Sequence, residues 1–237
     1  MKILQLISHL LDYPDEDLAK SLPELTRWVE QADELNGEVR ESILRFIEYQ
    51  RQRDLLDWQS EYEGLFERGR AVSLHIFEHI YGESRDRGQA MVELLKHYRE
   101  AGLELSEREL PDYLPTYLEF CATQETAARE WLEQIAHVLA LLSARLRQKE
   151  SVYAHLLTGL LELIDLNVDM TALAEVVSKE ERDDTPEALD KIWEEEAVSF
   201  SAGGSCDQSI RRSAAAQFMG EEPIVWADEG RNSATPG

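Results

Sequence analysis

Only two cysteines occur in 237 residues, and Cys121 and Cys206 lie too far apart in the chain to suggest a disulfide framework or a closed thiolate zinc site. Such sparing use fits a reducing compartment. The longest stretches without a charged residue, 134–144 and 151–161, fall well short of the roughly 20 residues a bilayer span needs. The apolar stretch 1–11 runs into Asp12 with no small-residue cleavage site, so no secretory signal is predicted. Basic residues are also short: 24 against 48 acids leave a formal charge of −24, which repels a phosphate backbone or an anionic membrane surface. These features predict a soluble, cytoplasmic protein that binds no nucleic acid and inserts into no membrane.

Proline is scarce, and its seven positions punctuate the chain. After Pro14 and Pro23 none occurs until Pro111 and Pro115, and then none until Pro186. The long intervals favour helix, and apolar residues recur in them at three and four. Val39, Ile43, Phe46 and Ile47 form one such stripe, continued by Leu55, Trp58, Tyr62, Leu65 and Phe66 after the polar run 50–54. Ile135, Val138, Leu139, Leu142 and Leu146 repeat the pattern, as do Val152, Leu156, Leu160 and Ile164. No sustained alternation of period two is present, so no strands are predicted.

Helix ends can be read in places. Gly82, Glu83 and Ser84 mark the end of one helix and the start of the next, with Gly88 inside the second. A glycine there costs roughly 1 kcal/mol against alanine, which suits either a close backbone approach or a tolerated surface position. Thr185, Pro186 and Glu187 read as the opening of a helix that runs to about Phe200, and Asp112 as a less regular opening before Pro115. From Ser201 onward periodicity is lost, and five of the twelve glycines fall in the last 37 residues. The prediction is an all-α chain: a compact, bundle-like helical domain over 1–200 and a flexible tail over 201–237.

Catalytic signatures are thin. No nucleophile elbow, Walker loop or dinucleotide glycine pattern occurs, and Cys121 has no base nearby in sequence. His75, Glu78 and His79 do fit the H-x-x-E-H spacing in which two histidines one helical turn apart hold zinc and the glutamate acts as base. A catalytic zinc needs a third protein ligand, and no segment announces one. The alternative is a helix that buries Leu74, Phe77 and Ile80 and leaves His75, Glu78 and His79 near the surface. A zinc hydrolase on these three residues is thus one alternative function, and an acidic adaptor for some other client is another.

What the chain has in abundance is aromatic side chains interleaved with acids, in 62–70 (YEGLFERGR), 77–88 (FEHIYGESRDRG) and 109–120 (ELPDYLPTYLEF). Beside carboxylates, such clusters suit a groove for a basic amphipathic helix whose apolar face is buried and whose cations meet acid at the rim. They equally suit a core with a solvated acidic face, and sequence periodicity does not separate the two.

These segments resemble the NarJ-type chaperones of respiratory nitrate reductase assembly, within the wider group of helical chaperones for molybdenum redox enzymes. The resemblance is carried by 10–14 (LLDYP), 65–70 (LFERGR), 77–79 (FEH), 82–91 (GESRDRGQAM), 109–112 (ELPD), 141–146 (LLSARL), 182–186 (RDDTP) and 193–196 (WEEE). It covers about 1–200 in collinear order, and 82–91 is its most specific part. It implies a non-enzymatic cytoplasmic chaperone, without a cofactor of its own, that binds the N-terminal leader-like segment of the apo catalytic subunit. The chaperone would keep that client open for molybdenum cofactor insertion and delay its membrane docking. Molybdenum cofactor delivery proteins are further candidate partners. The residues expected to contact the client peptide are Tyr62, Leu65, Phe66, Arg70, Phe77, Glu78, Tyr81, Glu83, Asp86, Arg87, Met91, Glu109, Asp112, Leu114, Tyr117 and Glu119.

Overall fold

Helix starts in this chain are set by short polar side chains. In the computed structural model, which describes residues 1–32, 35–82, 84–106, 109–165 and 168–185 with 188 and 190, Asp15 caps α2 (Glu16–Gln31) by accepting from the Leu18 N–H. Asn36 caps α3 (Gly37–Arg51), Asp54 caps α4 (Leu55–Phe66) and Ser84 caps α6 (Arg85–Glu100) in the same manner. Each side chain satisfies one of the backbone donors that a helix start leaves unpaired. Of the polar run 50–54, the first two residues finish α3 and only 52–54 form the break before α4. Pro23 punctuates nothing: it lies inside α2, where a missing N–H removes one backbone bond without ending the helix.

The remaining helices are α1 (Lys2–Leu11), α5 (Ile76–Tyr81), α7 (Leu114–Thr123), α8 (Ala128–Gln134), α9 (Ala136–Gln148), α10 (Tyr153–Leu163) and α11 (Met170–Val177), with a 3-10 turn at Glu125–Ala127. No strand occurs among the described residues; one isolated bridge pairs His75 with Tyr113. The described part is all-α, as the periodicity predicts. Thr185 accepts from the Ala188 N–H, in keeping with a helix start there, but the helix expected as far as Phe200 and the tail 201–237 lie outside the described residues.

Helix α10 is the centre of the body. It lies between α3 and α9, and α1 touches it while packing along α7. The apolar stripes read from the sequence mostly face this interior: Val39, Ile43, Phe46 and Ile47 of α3, Leu156 and Leu160 of α10, and Val138, Leu139, Leu142 and Leu146 of α9 are all buried, whereas Leu55 and Leu65 of α4 and Val152 are half-buried. Gly159 faces α3, where an added Cβ would rest in ordinary contact, 3.9 Å from Cβ of Ser42, so the helix spacing does not require a glycine there. Gly88, by contrast, borders open space and is a surface glycine.

Two aromatic clusters stiffen the packing. Tyr153 is met edge-on by Phe46 and Phe66 at 4.9 and 5.0 Å, and its hydroxyl accepts from Nε1 of Trp58 at 2.7 Å. In the other, Phe120 lies between Tyr98 and Trp131, at 4.9 Å from each. The hydroxyls of Tyr98 and Tyr117 donate to the carbonyls of Pro111 and Trp131, so no phenol in that cluster is buried without a partner.

Candidate functional site

Three of the segments singled out by sequence meet at one corner, where α5, α6 and the 109–113 segment converge. Asp112 has no exposed surface, and it does not open α7, whose N-cap is Tyr113. Its carboxylate instead accepts from the Phe77 N–H at 3.3 Å, while its carbonyl takes the Ile76 N–H at 2.8 Å. Asp112 thereby caps α5 from a distant part of the chain. Arg87 donates to the same carboxylate at 3.1 Å and to Glu78 at 3.1 Å, and Nδ1 of His75 lies 3.3 Å from its other oxygen. The Phe77 N–H, Arg87 and His75 thus supply partners to a carboxylate that would be costly to bury alone.

A chain of hydroxyls runs on from this corner. The ring of His75 leans on Tyr113, whose hydroxyl donates to Asp12 at 3.0 Å and pairs with that of Tyr62 at 2.9 Å. Burial, with Tyr62 and Asp12 adding to it, pushes the Tyr113 phenol far above its ordinary range. Both tyrosines therefore remain protonated and act as fixed hydrogen-bonding groups, with no acid–base part to play near neutrality.

A second feature lies across the molecule's edge at Leu65. A cleft of about 540 Å³ is lined by Leu65, Ala71, Arg145, Gln148 and Lys149 on one side and by residues 180–184 on the other. Arg145 forks onto Glu180 with two bonds of 2.8 Å and donates to the Ala71 carbonyl at 2.7 Å. Lys149 pairs with Asp184, which Arg182 also reaches at 2.9 Å. Arg182 first, then Lys149, holds the Asp184 carboxyl far below the usual carboxylate range.

The H-x-x-E-H residues diverge. His79 is buried, not near the surface as the sequence suggests, because Nε2 reaches the Ser73 carbonyl at 2.8 Å and draws the ring inward. Ile80 is correspondingly only half-buried. His75 faces Asp112 instead, so the two imidazoles serve different partners. Among the described residues, no group of three or more His, Cys, Asp or Glu side chains is placed to hold a metal ion. Cys121 is buried, and burial pushes its thiol well above the ordinary value. Cys206 lies outside the described residues.

His79 and His137 make stability depend on pH. Burial, with Arg145 adding to it, lowers His79, and burial together with His79 pushes His137 down to about 4. An unfolded histidine takes up its proton near 6.5, so between that value and about 4 the unfolded state binds more protons than the folded one. Stability is therefore expected to fall as pH drops through this window. His137→Asn should make the loss between pH 7 and pH 4.5 smaller, by on the order of 1–2 kcal/mol after allowing for partial solvent access. Urea midpoints at the two pH values check this.

The sequence-predicted contact residues divide by burial. Tyr62, Phe66, Phe77, Asp112, Leu114 and Tyr117 are buried and, in this conformation, pack or tie the core, offering no surface to a peptide. Leu65, Glu78, Tyr81, Arg87 and Met91 are half-buried, whereas Arg70, Asp86, Glu109 and Glu119 are exposed. Glu83 lies outside the described residues. The structure adds Arg145, Lys149, Glu180, Asp183 and Asp184, which sequence reasoning did not assign to a site. Their one sequence signal was that Arg145 falls in 141–146, and Asp183 and Asp184 in 182–186, two of the segments that carry the family resemblance.

The family model for the nitrate reductase delta subunit matches residues 15–158. The chain belongs to this family. Relatives reach far beyond that stretch. The nitrate reductase molybdenum cofactor assembly chaperone NarJ of Escherichia coli is 46% identical over 218 residues, which is 92% of this chain and 92% of that protein. The probable nitrate reductase molybdenum cofactor assembly chaperone NarW of the same species is 41% identical over 88% of this chain and 89% of its own. A crystal structure from Archaeoglobus fulgidus, assigned to redox enzyme maturation, matches with a TM-score of 0.48 and 22% identity over 69% of this chain and 92% of its own. As a member of the delta subunit family, the chain has near full-length counterparts whose names describe assembly chaperones. Among the described residues no helix is long and apolar enough to cross a membrane.

Proposed function

We propose that this chain is a dedicated assembly chaperone of a respiratory nitrate reductase. It binds the N-terminal leader-like segment of the apo catalytic subunit in the cytoplasm, keeps that subunit competent for molybdenum cofactor insertion and holds it back from membrane docking. It catalyses no reaction and carries no cofactor of its own, the molybdenum cofactor belonging to the client. The observation that carries this reading is 46% identity spread over 92% of both chains with a chaperone of nitrate reductase cofactor assembly.

The client segment is best received by the half-buried and exposed members of the predicted set: Leu65, Tyr81 and Met91 for its apolar face, with Glu78, Asp86, Glu109 and Glu119 near its cations. Covering about 400 Å² of nonpolar surface contributes on the order of 10 kcal/mol before the costs of ordering and association. Exposed ion pairs add at most about 1 kcal/mol each and act more on rate and orientation.

Calorimetry with the client's N-terminal peptide is expected to show micromolar or tighter binding with a negative heat-capacity change. Leu65→Ala should weaken it by about five- to thirtyfold, and Glu119→Gln by less than about threefold. A pull-down from cells lacking the molybdenum cofactor should capture the apo catalytic subunit. Capture of no nitrate reductase subunit, or affinity that collapses in salt while Leu65→Ala changes nothing, overturns this reading.

A further inference from the structure

Beyond α11 the chain is fastened to the body mainly through carboxylates. Helix α11 buries only Leu173 and Val177, against α9. After it, three acids each meet a different donor. Glu180 takes the fork of Arg145, Asp184 takes Lys149, and Asp183 Oδ2 accepts from both the Arg70 N–H at 2.7 Å and the Ala71 N–H at 2.6 Å. Two successive backbone N–H groups converging on one oxygen form an anion-binding nest.

Gly69 supplies the room for that nest. A Cβ at this position would stand 2.9 Å from both oxygens of Asp183, closer than real Cβ contacts come. Its φ is not in the left-handed region, so the glycine is needed for space and not for backbone conformation. The seat in 67–71 is thus cut to the shape of a carboxylate, and the chain's own Asp183 fills it.

We propose that residues 178–185 form a carboxylate latch, with Asp183 in the Gly69–Ala71 nest, Glu180 on Arg145 and Asp184 on Lys149, which closes over the Leu65 cleft and opens as a unit while the helical body stays folded. The latch is poised because its fastenings remain near water. The Arg145 and Glu180 side chains are 11% and 20% exposed, and those of Lys149 and Asp184 are 22% and 17% exposed. Released carboxylates regain hydration at once, and 178–185 carries no apolar side chain, so opening uncovers little apolar surface beyond Leu65. The formal charge of −24 also pushes these acids away from an acidic body, so opening relieves repulsion that closing must overcome. The latch does not depend on the identity of any client.

The test uses the full-length chain with Leu65→Cys as a reporter and Cys206→Ser to remove a second thiol; Cys121 stays, being buried. Thiol labelling at position 65 and amide exchange at Arg70 and Ala71 are both expected to run at least about tenfold faster in Asp183→Ala than in the reporter chain. Gly69→Ala should do the same, because its methyl evicts the carboxylate. Combined with Asp183→Ala it should add nothing further, since the group it displaces is already gone. Glu181→Gln, at an exposed position within 178–185 that forms none of the three fastenings, is the control and should match the reporter chain. Unchanged labelling in both variants, strictly additive effects in the double variant, or equal acceleration of exchange within α10 would each overturn the latch.

Discussion

Asp112→Ala is expected to lower the unfolding free energy by about 3–5 kcal/mol, the cost of breaking a buried ion pair from one side. The substitution removes the fully buried one of Arg87's two counterions, the cap on the Phe77 N–H and the partner of His75 in a single step. Arg87 would keep only the half-buried Glu78, since its Nε already finds no partner among the described residues. Asp112→Asn keeps the shape and one acceptor, and should cost about 1–3 kcal/mol. Arg87→Met leaves the buried Asp112 with only the Phe77 N–H and His75, so its cost should approach that of Asp112→Ala, and the double variant should cost far less than the sum. Urea unfolding followed by helical circular dichroism measures all four proteins.

Tyr117→Ala should be as damaging for a different reason. The side chain is wholly buried, lies 6.3 Å from Phe120 and 6.4 Å from Trp131, and donates to the Trp131 carbonyl. Truncation leaves a large cavity and an orphaned carbonyl, and should cost about 3–5 kcal/mol. Tyr117→Phe keeps the ring and loses only the hydrogen bond, for about 1–2 kcal/mol. A fall in client binding with Tyr117→Ala would therefore report a loosened core. If the measured stability loss were below about 1 kcal/mol, the packing described around Phe120 would be wrong.

Much of the scaffold was legible because helical periodicity and capping chemistry are local. The stripes through Val39, Phe46, Leu142 and Leu156 fixed which faces turn inward, and Gly82 with Ser84 fixed the α5–α6 corner. The role of Asp112 was not legible, because its partners at 75, 77 and 87 come from an earlier part of the chain. Tyr62, Phe66 and Tyr117 were ambiguous for a related reason: an apolar stripe has the same spacing whether it faces a core or a groove. His79 moved inward because the Ser73 carbonyl offered its ring a partner that no spacing rule displays. Arg145 and residues 180–184 became a unit only when α9 and α11 were packed together. Of the corner where α5, α6 and 109–113 converge, then, the segments were visible in the sequence, but the split between buried and exposed side chains was not.

The pairing of α1 with α7 and of α4 with α10 also sets a timetable for synthesis. Ser8 bonds to a carbonyl 107 residues later, and Trp58 to a hydroxyl 95 residues later. At about 5–20 residues per second, the ribosome delivers such a partner on the order of 5–20 s after the first member emerges. Until α10 leaves the exit tunnel, the apolar faces of α3 and α4 have no permanent cover, and the nascent chain needs shielding of the kind it is itself proposed to give. Residues 178–185 emerge after every helix they fasten, so they arrive on a body already assembled.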